Sequence, residues 1–378
     1  MTESNAPKGL EGVIAAETVL SYVNGTEGIL EYLGIPIDQL ATKSTFEEVA
    51  FLLWHKRLPK AAELKDFTAQ LRAHYTLPTP VKELLQNIPP KTAPMHVLRT
   101  AVSYLASFDE TPDDISPEGL REKGMRLVCQ MPAIVAYFDR ARKKLPLVDP
   151  DPDLNIAGNI LYMINGEAPD ETMARALDVC LILHADHGLN ASTFTSRVIC
   201  STMSSVYGAV TGGIAALHGQ LHGGANERVM YMLREIGSAD NVTKYLDEAM
   251  ATKKKIMGFG HRVYKTLDPR ATFLKAFAKD LADSTGNHDL YELSTMVEEV
   301  MTARVGSKGI YPNVDFYSAT TYKSIGIEID MFTPMFAISR VTGWVGHILE
   351  QNEANRIMRP RAAYIGPHNA PYVPFDER

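Results

Sequence analysis

Ser44-Thr45-Phe46-Glu47-Glu48-Val49-Ala50-Phe51-Leu52-Leu53 decides the fold class. It opens as a capping box, in which the serine oxygen accepts from an early backbone N–H while the glutamate three residues on reaches back to the cap. Phe46, Val49, Leu52 and Leu53 then share one apolar stripe at helical spacing, and Pro59 stops it. The same period recurs at Leu64, Phe67 and Leu71, and again at Val81, Leu84, Leu85 and Ile88, with Thr79-Pro80 as cap and first helical residue. The main strand signal lies earlier: Thr18 to Val23 and Gly28 to Leu33 flank Asn24-Gly25, a dipeptide suited to a tight hairpin turn. No strand–helix alternation supports a doubly wound sheet, and no period of about 20–50 residues marks a solenoid. The expected architecture is mainly α and multi-helical, with a small N-terminal β-hairpin.

The 378 residues are 45% hydrophobic and 22% charged, enough to bury a sizeable core and to make two domains, or one with an appendage. A formal net charge of -7 offers no broad cationic field, which argues against nucleic acid as the main partner. Cys129, Cys180 and Cys200 are far apart and form no CxxC pair, which excludes a disulfide framework and a cysteine-rich zinc module and fits a reducing compartment. Met1-Thr2-Glu3-Ser4-Asn5 lacks the cationic start of an export leader, and apolar runs such as Val179 to Leu183 are too short to span a bilayer. A soluble cytoplasmic protein, not bound to membrane, is expected. Between Lys143 and Asp153 three prolines forbid a helix, leaving either a domain linker or an exposed loop within one domain.

Chemistry-bearing residues fall in six places. Pro169-Asp170-Glu171 starts a helix with Met173, Leu177, Cys180 and His184 on its core stripe; His184 reads as a packed histidine, whereas His187 precedes Gly188, where the helix should end beside a cleft. His218 and His222 are four apart, a zinc spacing on a regular helix, but Gly219, Gly223 and Gly224 break the helix and the HExxH glutamate is missing. A glycine turn that brings the backbone close to a ligand and presents His222 fits better than a metal site. Lys253 to Lys265 combines cations with Gly258-Phe259-Gly260-His261; it is no Walker motif, yet it suits a phosphorylated ligand, and Arg270 follows in a proline-fixed turn. Asp315 sits among apolar and aromatic residues, so it is either a base strengthened by burial or the N-cap of the next helix. Arg340, on an apolar helix, needs a partner, for which a carboxylate ligand is suitable; Arg359-Pro360-Arg361 adds two cations near the end of the chain.

Together these segments resemble the citrate synthase family, over nearly the whole chain. The likeness is carried by the hairpin from Val19 to Leu33, His184-Ala185-Asp186-His187, Leu221-His222-Gly223-Gly224-Ala225-Asn226-Glu227, Gly258 to Lys265, Pro312-Asn313-Val314-Asp315 and Arg359-Pro360, in the family's order and spacing. The resemblance implies a two-domain fold with a large helical domain over residues 1–224 and 326–378 and a small inserted domain over 225–325. The proline-rich run then becomes a loop of the large domain. It implies condensation of acetyl-CoA with oxaloacetate and hydrolysis of citryl-CoA, in the tricarboxylic acid cycle, with no metal and no cofactor beyond the coenzyme A of the substrate. Asp315 matches the family's base, His222 the donor to the thioester oxygen and His261 the histidine that polarises the ketone. His187, Arg270, Arg340 and Arg359 match the group that holds the carboxylates, with Arg359 reaching across a homodimer. Arg262 and Lys265 match candidates for the coenzyme A phosphates.

One departure is Gln220, where many relatives carry proline before the leucine of this turn. The chain also lacks the N-terminal extension of longer, NADH-inhibited bacterial forms, so the short dimeric type is expected, with assembly beyond the dimer open. The nearest rival is a 2-methylcitrate synthase using propionyl-CoA, since one methylene is worth only about 1–3 kcal/mol in a pocket. Rivals from other classes are a non-catalytic citrate or acyl-CoA binding homologue, which would be expected to lose His222, His261 or Asp315, and a metal-dependent hydrolase built on the paired histidines.

Overall fold

The structure, a computed structural model, describes residues 7–378; the reading of Met1 to Asn5 lies outside them. Sixteen α-helices follow a short antiparallel sheet among the described residues. Strands β1 (Ser21–Asn24), β2 (Ile29–Tyr32) and β3 (Ile35–Pro36) pair in that order, with Ser21 opposite Tyr32 and Asn24 opposite Ile29. The third strand was not expected. The hairpin turn is also longer than a two-residue one: Asn24 Oδ1 accepts from the amides of Thr26 and Glu27, and Gly28, not Gly25, takes the left-handed conformation.

The first helices are α1 (Ile37–Lys43), α2 (Phe46–His55), α3 (Ala61–Ala73), α4 (Thr79–Asn87), α5 (Pro94–Leu105) and α6 (Pro117–Arg142). Then come α7 (Ile156–Asn165), α8 (Glu171–His184), α9 (Ala191–Ser201) and α10 (Val206–His218). A third group comprises α11 (Ala225–Ile236), α12 (Val242–Ala251), α13 (Pro269–Thr285), α14 (Asp289–Val305) and α15 (Val314–Ser324), before the long α16 (Phe332–Glu353).

The opening stretch folds as a helix one residue later than its capping box indicates. Thr45, not Ser44, caps α2 by accepting from Glu48 N–H, while Ser44 donates to the Glu48 carboxylate at 2.6 Å. Glu47 turns inward and accepts from Ile156 N–H at 2.8 Å, so the expected local cap instead tethers the start of α7. Asp178 of α8 accepts from Phe46 N–H at 3.0 Å in the same way. Burial first, then their mutual repulsion, raises Asp178 to about 7, so these carboxylates hold helices together at the expense of an easily ionised core.

Helix α16 is the axis of the core. Its buried face includes Phe332, Ile338, Val341, Trp344, Val345 and Ile348, packed against α6, α8, α9 and α10. Each such side chain is worth about 1.5–3 kcal/mol relative to exposure. Arg340 lies on this face, brought to the end of α8 by the packing. The proline-rich run after α6 is a fastened loop: Arg140 Nε donates to Pro146 O, Lys82 pairs with Asp149 at 2.6 Å, and Asp151 N–H donates to Asn159 Oδ1 at 2.7 Å. All three cysteines are free and buried, and no described helix is long and apolar enough to cross a membrane.

Candidate active site

Three loops, the first turns of two helices and the middle of a third helix meet in one cavity of about 960 Å³. The segment after α8 brings His187, the turn between α10 and α11 brings His222, and the loop before α13 brings His261 and Arg262. Arg270 enters from the first turn of α13, Asp315 from the first turn of α15, and Arg340 from the middle of α16. Six of the nine candidate side chains, those of His187, His222, His261, Arg270, Asp315 and Arg340, therefore line the cavity with Arg262 at its edge. Lys265 is exposed on the His261 loop, its Nζ donating to Arg262 O at 3.3 Å, and does not line the cavity. Arg359 is exposed on the irregular segment that follows α16 and does not line the cavity.

The glycine turn does what its residues suggest. α10 ends at His218, and Gly224 at φ 71° starts α11. A Cβ on Gly223 would lie 2.0 Å from Leu217 O, so only glycine lets the chain fold back tightly enough to present His222. His218 turns elsewhere, its ring packing on His96 at 4.7 Å, so the two histidines do not form a ligand pair.

The tautomer of His222 is set by the backbone. Ser192 N–H can only donate, and it donates to His222 Nε2 at 3.2 Å; the ring's proton therefore sits on Nδ1. Ser192 Oγ also lies 2.9 Å from Nε2 and accepts from Trp344 Nε1 at 3.2 Å, which locks the ring plane. Burial, helped by the Arg340 charge, pushes His222 down to about 4, so it is a neutral donor at neutral pH.

His261 follows the same logic with the nitrogens exchanged. Its Nδ1 accepts from Val263 N–H at 3.0 Å and Tyr264 N–H at 3.2 Å, leaving the proton on Nε2. Burial and then Arg270 push it down to about 4. The loop is stapled to the start of α15: Gly260 N–H donates to Tyr311 O at 2.9 Å, and Asn313 Nδ2 donates to Gly260 O at 2.8 Å. His187 Nε2 lies 3.2 Å from Tyr264 Oη, and burial, with Arg270 next, drives it well below its ordinary value.

Asn313, not Asp315, caps α15, accepting from Asp315 N–H at 3.0 Å. The Asp315 carboxylate is thereby released from the capping role and faces the cavity. Burial pushes it up to about 6 against the pull of Arg270. Arg270 is held by Asp268 through two parallel bonds of 2.9 and 2.8 Å; burial opposes its charge, but Asp268 outweighs burial and keeps it above its ordinary value. Arg340 has no such counter-ion. Its Nε donates to His184 O at 2.7 Å and its guanidinium lies over Phe336 at 4.6 Å, and burial pulls it down to about 10. His184 itself is a packed core residue beside Tyr322 and Phe336.

Three contributors escaped the sequence. Ser192, Tyr264 and Asn313 act on the histidines and the base through neighbours distant in sequence or in their own backbone, and only Asn313, two residues before Asp315, carried a local sign. A fourth is Asp186, buried beside His187, which accepts from Ser21 Oγ at 2.5 Å and Gly188 N–H at 3.2 Å and faces His347 Nε2 at 3.2 Å, tying this segment to β1 and α16.

A buried guanidinium without its own counter-ion calls for an anionic ligand, and neutral N–H donors opposite a strengthened carboxylate base suit proton removal beside a carbonyl. The molecule belongs among acid–base enzymes acting on anionic carbonyl compounds. The family description "Citrate synthase, C-terminal domain" matches residues 9–361. The chain is 45% identical over 375 residues to a citrate synthase of Deinococcus radiodurans, covering 99% of this chain and all of that one. It is 46% identical to citrate synthase 2 of Bacillus subtilis, with 99% of both covered. A 2-methylcitrate synthase of Mycobacterium tuberculosis is 43% identical over 363 residues, covering 95% of this chain and 90% of that protein. Among solved structures, the ternary complex of carboxymethyl coenzyme A and oxaloacetate with citrate synthase from Thermoplasma acidophilum superposes with a TM-score of 0.92 at 35% identity, covering 98% and 99% of the two chains. The chain belongs to the citrate synthase family and is an acyltransferase.

Proposed function

We propose that the protein condenses acetyl-CoA with oxaloacetate and hydrolyses citryl-CoA to citrate and coenzyme A, feeding the tricarboxylic acid cycle in the cytoplasm. The observation that carries the mechanism is the pair of backbone-fixed tautomers. His222 offers Nδ1–H and His261 offers Nε2–H to the cavity that Asp315 also lines. Asp315 takes a proton from the acetyl methyl group while His222 donates to the thioester oxygen, stabilising the enol as charge develops. The enol carbon then attacks the oxaloacetate ketone, whose oxygen accepts from His261, and the citryl thioester is cleaved by water. His187, Arg270 and Arg340 hold the carboxylates, with Arg359 supplied by the partner subunit of a homodimer. Arg262 and Lys265 meet the coenzyme A phosphates.

Helices α11 to α15 form the inserted domain, residues 225–325, which closes over the substrates so that water is excluded until condensation is complete. The net charge of -7 makes this concentration of cations at the cavity necessary for attracting two anions. The test is thiol release from acetyl-CoA: it is expected only when oxaloacetate is added, and release that ignores oxaloacetate would sink the proposal. The 2-methylcitrate synthase alternative is decided by running propionyl-CoA beside acetyl-CoA, where kcat/KM is expected to favour acetyl-CoA.

A further inference from the structure

The tip of the β1–β2 hairpin sits against the loop that carries His261. Lys265 N–H donates to Gly25 O at 2.8 Å. The approach is backbone to backbone: a Cβ on Gly25 would lie 2.0 Å from Val263 O and 2.5 Å from Val263 C. Three residues on, a Cβ on Gly28 would lie 2.9 Å from the Thr266 methyl. The Val263 and Tyr264 amides on this loop are the two that donate to His261 Nδ1, and Tyr264 Oη meets His187. What presses on Val263 therefore presses on the groups that orient the histidine.

We infer that the Asn24-Gly25 turn is a latch and Gly25 a positioning residue: the hairpin docks on the Val263–Lys265 backbone and holds the His261 imidazole in its donating orientation. The role at the ketone rests on the proposed function. In the proposed domain assignment Gly25 belongs to the large domain and Lys265 to the inserted one, so the bond from Lys265 to Gly25 crosses the boundary that closes over substrate. Arg270 and Arg340 are carried by α13 and α16, not by this contact, so the two guanidinium groups that hold carboxylate are independent of the latch, and only His187, through Tyr264 Oη, touches the latched loop.

Gly25→Ala isolates the contact. Gly25 is not in the left-handed region, so alanine suits the hairpin itself and meets trouble only at Val263, at its carbonyl and its Cγ1 methyl. The carbonyl has to retreat by about 1.4 Å to reach ordinary contact, and a displacement of that order at a reacting group costs on the order of a hundredfold in rate. The expected result is a fall in kcat of that size with the dissociation constant of oxaloacetate, measured by calorimetry, changed by less than about threefold, and faster hydrogen exchange of the Lys265 amide. Thr26→Ala, exposed in the same turn, is expected to behave as the unaltered protein. Unchanged kcat in Gly25→Ala overturns the inference, as does a loss of oxaloacetate affinity as large as the loss of rate. If Gly25→Ala does not fold, exchange in the unaltered protein decides: protection of the Lys265 amide supports the latch, and exchange at the rate of an unstructured amide overturns it. Absence of oxaloacetate-dependent thiol release in the unaltered protein would instead defeat the proposed function, while the exchange measurement would still report on the contact.

Discussion

Replacing Asp315 by asparagine is expected to abolish turnover and, at the same time, to make the unliganded protein more stable. The carboxyl titrates at an ordinary value of 3.8 when exposed and at about 6 in the folded protein, where burial disfavours its charge. Between those two values the folded state binds more protons than the unfolded state, so stability falls as pH rises from 3.8 to about 6 and is flat above. At about 1.4 kcal/mol per pH unit, the whole gap is worth about 3 kcal/mol at pH 8 and roughly half of that at pH 5. Asparagine has almost the same shape and no charge to bury, so the variant recovers this amount. For a chain of 378 residues the unfolding entropy is ~0.8 kcal/mol/K, and the gain appears as about 4 °C in Tm. Thermal unfolding of both proteins at pH 5 and pH 8, beside the thiol-release assay, checks the argument. Turnover should fall by about 10²–10⁴-fold. A variant no more stable than its parent at pH 8, or one whose advantage does not grow between pH 5 and pH 8, would refute the claim that burial dominates at Asp315.

Asp268→Asn leaves the Arg270 guanidinium buried without its partner and should destabilise by about 3–5 kcal/mol in denaturant titration, with oxaloacetate restoring more stability than it confers on the unaltered protein. Burial opposes the Asp268 charge but Arg270 outweighs it and holds the group below 3.8, so this contribution is present above pH 3.8 and is lost as pH falls through the depressed folded value. Ser192→Ala keeps the amide that fixes the His222 tautomer but removes the hydroxyl, and kcat should fall by about tenfold or more with oxaloacetate affinity retained, as read by steady-state kinetics and calorimetry. Arg359→Ala and Asp315→Asn are each expected to be inactive, and mixing them after dissociation and reassembly should restore activity, because a hybrid pairs an intact Asp315 with the partner's intact Arg359. No recovery in a verified hybrid would return Arg359 to its own subunit or remove it from the site.

Legibility in the sequence followed the range of the interaction. Helices with long apolar stripes and the hairpin were readable because period and turn chemistry are local. Their ends were not: Glu47 has the spacing of a capping box, yet its carboxylate finds the amide of Ile156, a partner that only tertiary packing supplies. Asp315 resembles an N-cap for the same reason, and loses that role because Asn313 reaches its amide first. The candidate histidines and arginines stood out as polar groups at glycine turns or on apolar faces, and five of them line one cavity with Asp315. Ser192 could not stand out, since a serine at a helix start is ordinary; its importance appears only when His222, 30 residues later, packs on it.

Helix α16 has a consequence for how the protein is made. It is the axis on which α6, α8, α9 and α10 pack, yet it begins at Phe332, near the end of the chain. At roughly 5–20 residues per second, a ribosome needs on the order of tens of seconds to reach it. Throughout that time the apolar faces that will close on Trp344 and Ile338 have no partner. The nascent chain thus spends most of its synthesis as an open sleeve awaiting its rod, and the demand for chaperone protection should peak just before the last helix emerges. A truncation that stops short of Phe332 should yield aggregate rather than a smaller folded protein.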